Sequence, residues 1–308
     1  MKIEFAYSTD TGEIIDTELA YDYFWAGIIK DKRNFQCLAE NCTVAITCAN
    51  LDKPRQDMKY DPYYKAFGEH SDDCEFIRNY EAKMASTKPK DGKQNSRTSA
   101  ENNFAVIFEQ SRPRSHYEKL EIDASTMPTQ SLQEVKCRKR NHAGQTQKRA
   151  SHYYSIRALV SKYLEYKEEG VLDQQFVNIR GCNVSYNDLF VEIDNQDLKK
   201  VSKYQRIYFG KAFINPRKDK DYAVTFSKTL SLDETAINPS TYLSDNTINS
   251  AFTKKLYKEK FKILSEKKYP SAWAFIYGIP TENKSSEKSF ININISNMDY
   301  FDLREQFE

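Results

Sequence analysis

The chain has 308 residues, of which 39% are hydrophobic and 29% charged, and its formal charge is +2 at pH 7. That length supports two domains, and the composition excludes disorder throughout. A net charge so close to zero excludes a molecule-wide field for polyanions, so any nucleic-acid surface has to arise from local segregation of Lys and Arg.

In chain order, "MKIEFAYSTDTGEII" lacks the basic start and apolar run of a secretory signal, and nowhere do eighteen apolar residues follow one another. The reading is a soluble, cytoplasmic protein with no membrane partner. Residues 1–82 read as short strands and turns, with "TVAITCANL" as one strand. Within them "FQCLAENC" places Cys37 and Cys42 as C-x4-C, and "GEHSDDC" places His70 and Cys74 as H-x3-C. Two close pairs of soft donors separated by one loop fit the four ligands of a tetrahedral Zn²⁺ ion. A closed set of four leaves no position for water, so the expected zinc is structural. Cys48 reads as a buried thiol on its strand, and Cys137 and Cys182 as free thiols.

Residues 83–150 change character. "ASTKPKDGKQNSRTSAENN" and "KCRKRNHAGQTQKRAS" are polar and basic, and only "NFAVIFEQ" between them reads as a strand. This stretch is expected to be a basic, mostly flexible linker. Order returns at "HYYSIRALVSKYLEYKEEG", where Ile156, Leu159, Val160, Tyr163 and Leu164 recur at helical spacing between a Ser155 cap and Gly170.

Beyond that helix, "QFVNIRG", "YQRIYFGKAFI", "YAVTFSKTL", "AWAFIYGI" and "SFININI" read as aromatic or β-branched strands, with a basic helix, "INSAFTKKLYKEKFKIL", between the third and fourth. The expected fold is therefore α+β: an N-terminal zinc-binding β-ribbon module over 1–82, the flexible basic linker over 83–150, and an OB-like β-barrel with an added helix over 151–308.

In "YQRIYFGK", alternation places Ile207 and Phe209 on one face and Tyr204, Arg206 and Tyr208 on the other. An aromatic, basic, aromatic row outside a barrel suits stacking on single-stranded nucleic acid, although ordinary cross-strand pairing accounts for it equally. Lys211 continues the strand, and the loops "NPRKDKD" and "TENKSSEK" offer further cations. From Ser250 to Lys268 seven lysines, including Lys254, Lys255 and Lys258, face only Glu259 and Glu266. From Leu132 to Arg157 seven Lys or Arg face only Glu134. Both segments could meet phosphate.

The strand pair around "TGEII", then "FQCLAENC", then "GEHSDDC" resembles the N-terminal zinc-binding segment of CoiA-like competence proteins, over about residues 1–80. The resemblance implies a metal site and a DNA-processing setting. Members of that family continue into a nuclease-like domain, whereas residues 150–308 read here as a barrel. No Gly-rich phosphate loop is present, and His116, His142 and His152 lie in or beside the polar stretch without a nucleophile. Asp188, Glu192 and Asp194 are the one acidic group beside a strand.

The leading expectation is a non-catalytic accessory protein that binds single-stranded DNA or RNA beside a partner enzyme, in a bacterial DNA-processing or phage-defence system. The alternatives are a metal-dependent nuclease and a zinc-stabilised protein-interaction adaptor.

Overall fold

The computed structural model describes residues 3–54, 58, 60–78, 106–121, 136, 139, 151–284 and 288–305. The chain divides into two units, one comprising Met1–Lys53, Met58–Ala105 and Arg112–Ser151, the other Pro54–Asp57, Val106–Ser111 and His152–Glu308.

In the first unit, β1 (Phe5–Ser8) and β2 (Glu13–Asp16) form an antiparallel hairpin whose turn uses Gly12 at φ 67°. That left-handed conformation is one a side chain resists. Asp16 then caps α1 (Thr17–Ala26) by accepting from the Leu19 N–H at 2.8 Å, and Gly27 at φ 88° ends the helix. Strands β3 (Phe35–Gln36), β4 (Ala45–Ala49) and β5 (Tyr63–Phe67) complete a five-stranded antiparallel sheet in the order β2-β1-β3-β4-β5. A single bridge from Ile3 to Tyr64 meets the outer edge of β5. Ser8, Phe35 and Ile46 lie in one cross-strand row and are buried, as are Cys48 and its partner Tyr64.

Helix α2 (Arg114–Glu121) belongs to the same unit. Arg112, just before it, donates to Asp22 at 2.6 Å, and Lys119 reaches Glu13. Burial and the neighbouring cations Arg112 and Lys119 lower the His116 pKa to about 4, with its ring edge-on to Tyr23 at 5.2 Å.

The second unit begins with a four-stranded sheet, β7-β6-β8-β9, built from β6 (Val106–Phe108), β7 (Ser151–Tyr153), β8 (Phe176–Ile179) and β9 (Cys182–Ser185). Helix α3 (Ile156–Glu169) follows β7 and has the expected ends: Ser155 accepts from the Arg157 N–H, and Gly170 sits at φ 69°. A short helix α4 (Tyr186–Leu189) leads into β10 (Phe190–Glu192). Strand β11 (Gln196–Asp197) pairs with β14 (Leu230–Leu232), itself hairpinned with β15 (Thr235–Ile237).

The principal sheet has eight strands. Its path is β18 (Pro280–Lys284), β19 (Ser289–Ile293), β16 (Ser240–Leu243), β13 (Tyr222–Phe226), β12 (Arg206–Pro216), β17 (Ser271–Gly278), β20 (Phe301–Arg304), with β10 alongside β12. Helices α5 (Asp245–Asn249) and α6 (Lys254–Ser265) connect β16 to β17. One apolar cluster joins α3 to Ile207, Phe209, Phe275 and Tyr277. A second, on the other face, joins α6 to Tyr208, Ala212, Ile214, Val224 and Ile276.

The mixed, sheet-dominated class agrees with the sequence, but the sheet differs from a five-stranded closed barrel. It is a curled half-barrel that runs from β18 to β20 and includes two parallel pairs, β10 with β12 and β16 with β19. The physical reason lies in "RIYFGKAFI" and "AWAFIY". Both are apolar at odd and even positions, the pattern of interior strands covered on both faces.

Within the stretch expected to be linker, the strand expected at "NFAVIFEQ" is β6 and enters a sheet of the second unit, and α2 and Lys139 are part of the first. Residues 83–105, and 122–150 apart from Lys136 and Lys139, lie outside the described residues, and so does most of the basic arm from Leu132.

Candidate metal centre and nucleic-acid surface

Cys37 directly follows β3 and Cys42 closes the turn after it, with its N–H bonded to the Ala39 carbonyl at 3.2 Å. His70 and Cys74 lie beyond the end of β5, where the Cys74 N–H bonds to the Ser71 carbonyl at 2.9 Å. Antiparallel pairing of β4 with β5 brings these two turns together.

All four donor atoms lie within 4.8 Å of one another, and the three cysteines are buried. Cys37 Sγ and Cys74 Sγ are 3.8 Å apart, and His70 Nδ1 lies 3.4 Å from Cys42 Sγ and 3.5 Å from Cys74 Sγ. A tetrahedral ion with bonds of about 2.3 Å to sulfur and about 2.0 Å to nitrogen has ligand edges of about 3.8 Å (S to S) and about 3.5 Å (S to N). These three separations match such edges, and all four residues lie close enough together to hold a metal ion. His70 turns Nδ1 to the sulfurs while its buried Nε2 meets no hydrogen-bond partner among the described residues, and its ring stacks on Phe76.

Burial, reinforced by the neighbouring sulfurs, pushes the Cys37 thiol up. Burial acts the same way on Cys42, but N–H groups of Ser71 and Val44, the Ser71 side chain and His70 outweigh it and bring Cys42 to about 6. Lys139 is a neighbour the sequence did not single out. Its side chain is buried, with Nζ 3.2 Å from the Cys42 carbonyl and 5.5 Å from the Tyr7 ring centroid. Its ammonium supplies positive charge beside a sulfur-rich site. Cys48 is buried on β4 as expected, and Cys182 is free and exposed.

The expected stacking row does not form. Tyr208 is 0% exposed, inside the cluster beneath α6, and burial raises its hydroxyl to about 12. β12 is an interior strand, so the face opposite Ile207 and Phe209 is also covered. Tyr204 lies before the strand and is exposed, with the Arg206 guanidinium 5.8 Å from its ring centroid.

Lys211 is exposed, and so are Lys254, Lys255, Lys258 and Lys262 on the outer face of α6. Lys260 is not: it is buried and bonds to Asp302 at 2.8 Å. An aromatic, basic, aromatic alternation does occur on β5 as Tyr63, Lys65 and Phe67, all exposed, but the chain runs on from it into Glu69, Asp72, Asp73 and Glu75.

The acids beside β10 do not converge. Asp188 accepts from the Ser185 hydroxyl at the α4 cap, while Glu192 and Asp194 pair with Lys228 at the surface. No helix among the described residues is long and apolar enough to cross a membrane. Compared with known protein families, curated proteins and solved structures, the chain matches none, so its resemblance to CoiA-like proteins rests on the quoted residues alone.

Proposed function

We propose that this chain is a non-catalytic nucleic-acid-binding protein, its first unit stabilised by a structural zinc ion and its second engaging a polynucleotide, single-stranded DNA or RNA. The zinc reading is supported by three sulfurs and one imidazole within 4.8 Å of one another, three of their separations matching the edges of a zinc tetrahedron. Four protein ligands leave no open position for water, which makes the ion a fastener rather than a catalyst. The curled sheet is read as OB-like in use, with α3 and α6 packed on its two faces and strand ends and loops left for the ligand.

The observation that carries the binding reading is the outer face of α6. Leu256, Tyr257, Phe261 and Leu264 anchor the helix in the core, which turns Lys254, Lys255, Lys258 and Lys262 outward. Only Glu259 interrupts them, and none of the four makes an ion pair among the described residues. The helix then runs into Lys267 and Lys268, the latter 5.4 Å from the centroid of the exposed Tyr269 ring. A clustered set of unneutralised ammonium groups is the footprint of phosphate binding.

The test is fluorescence anisotropy of labelled oligonucleotides across a salt series. The parent should bind, with log affinity falling linearly in log salt. Changing Lys254, Lys255, Lys258 and Lys262 together to Gln should weaken binding and flatten that slope by about 0.7 for each single-strand phosphate left without its ammonium. A parent that binds neither single strands nor duplex at about 50 mM salt, where phosphate attraction is strong, overturns the reading.

A further inference from the structure

We infer that the uncovered half of the principal sheet is a stacking platform for single-stranded nucleic acid, built on Phe213, Tyr242 and Phe290. This adds a second surface, on the face of the sheet opposite α6, and rests on the binding reading above.

Along β12 the side chains at 207 and 209 are covered by the cluster that includes α3, but those at 211, 213 and 215 on the same face are exposed. The register extends this open face across five further strands. Phe213 lies opposite Thr225 and Ser271, Thr225 opposite Ser240, Ser240 opposite Asn292, and Asn292 opposite Thr281. Tyr242 joins the face opposite Ala223, and Phe290 opposite Asn283. The result is a surface of Ser, Thr and Asn side chains from which three rings stand out, 47% exposed for Phe213, 59% for Tyr242 and 47% for Phe290. The underside of the same strands is filled by Ile214, Val224, Leu243, Ile291 and Ile293. The rings are therefore held on a rigid base.

Charge complementarity selects the occupant. No carboxylate stands on these register positions, and Lys211 is the one ionised group among them. Cations sit at both ends. Strands β12, β16 and β19 run in one direction, so the β12–β13 loop, with exposed Arg217, Lys218 and Lys220 against Asp219 and Asp221, lies at one end, and Lys288 and Lys284, the latter 3.5 Å from Glu282, flank β18 and β19 at the other.

Tyr242 sits towards the first end, its hydroxyl held by Asp221, and Phe290 towards the second. Phe213 and Tyr242 are two strand spacings apart, about 10 Å, and Phe290 is displaced from Tyr242 by about 13 Å along the strands. Flat rings on a polar sheet face, with Asp221 the carboxylate that holds one of them and cations in excess at either end, suit unpaired bases, whose faces are free, and not a duplex, whose faces are stacked.

The test compares a labelled oligothymidylate with a duplex of equal length, using the full chain. Changing Phe213 and Phe290 together to Ser should weaken oligothymidylate binding at least tenfold and leave duplex binding and the thermal midpoint nearly unchanged. Phe213→Leu, which keeps the bulk but loses the ring, should lose affinity without loss of fold. Tyr242→Phe, which keeps the ring, should bind like the parent, and Tyr242→Ser should not. If the parent binds but the ring variants bind equally well, the platform is refuted while the α6 reading stands. A loss equal for Tyr242→Phe and Tyr242→Ser also refutes stacking. If the parent binds no oligonucleotide, the α6 reading and the platform fall together.

Discussion

Cys37 Sγ and Cys74 Sγ lie 3.8 Å apart across 37 residues of chain. A disulfide would need about 2.05 Å, whereas the ligand edge of a tetrahedral zinc thiolate is close to the observed distance. Native protein should therefore carry about one zinc per chain, as that site holds a single ion. Replacing Cys37 or Cys74 with Ser should abolish stoichiometric metal and lower only the thermal transition of the first unit. Metal analysis with calorimetry checks both, and metal-free native protein with an unchanged transition would refute the centre.

Tyr208 yields a contrast of three variants. Its buried hydroxyl has no hydrogen-bond partner among the described residues, so Tyr208→Phe removes an unsatisfied polar atom and should leave stability equal or higher. Tyr208→Ala opens a cavity in the α6 cluster and should cost about 3–5 kcal/mol. Tyr204→Ala, at a ring 74% exposed, should change little. Urea denaturation of the second unit ranks them.

Asp302 is 0% exposed and accepts from Lys260 at 2.8 Å and Arg304 at 2.7 Å. Burial alone would raise its pKa, but Arg304 and Lys260 hold it well below the usual carboxylate range. A folded pKa below the unfolded one stabilises fully above the unfolded value of 3.8 and is lost as pH falls beneath it. The parent's second unit should therefore weaken on acidification below about pH 4. Asp302→Asn strands two buried cations and should cost about 3–5 kcal/mol at pH 7. Denaturation at pH 7 and pH 3 measures both effects, and the variant should lack the parent's acid-side slope from this group.

His116 gives the first unit a different window. Burial holds its ring neutral, with a folded pKa of about 4 against 6.5 unfolded. Its contribution is complete above pH 6.5 and is lost as pH falls from there through about 4. Thermal midpoints at pH 7 and pH 5 should fall less for His116→Phe than for the parent. An equal fall in both proteins would show that the ring does not titrate in this range.

What the sequence made legible was local. Ser155 and Gly170 bracket a period of 3.6, and both caps formed where they stood. The cluster of Cys37, Cys42, His70 and Cys74 was legible because each pair lies within one turn, so spacing alone reports their proximity. Tyr208 was not legible, because a strand buried on both faces carries apolar residues at both parities and alternation no longer separates inside from outside. Lys260 and Lys139 resemble their exposed neighbours in sequence, and only tertiary partners from distant segments distinguish them. Phe213 escaped notice for a related reason: the same strand is covered along its first half and open along its second.

Strand β20 ends the path of the principal sheet, and it alternates Phe301 and Leu303, in one apolar cluster, with Asp302 and Arg304 on the opposite face. A slip of one residue against β17 would turn the carboxylate and guanidinium into that cluster and drive the two apolar side chains out of it. The ion cluster thus allows β20 to fasten against β17 in one alignment only. It also makes this margin of the sheet a poor template for a strand from another molecule, because inward-pointing charge at an edge discourages the sheet-to-sheet growth that leads to aggregation.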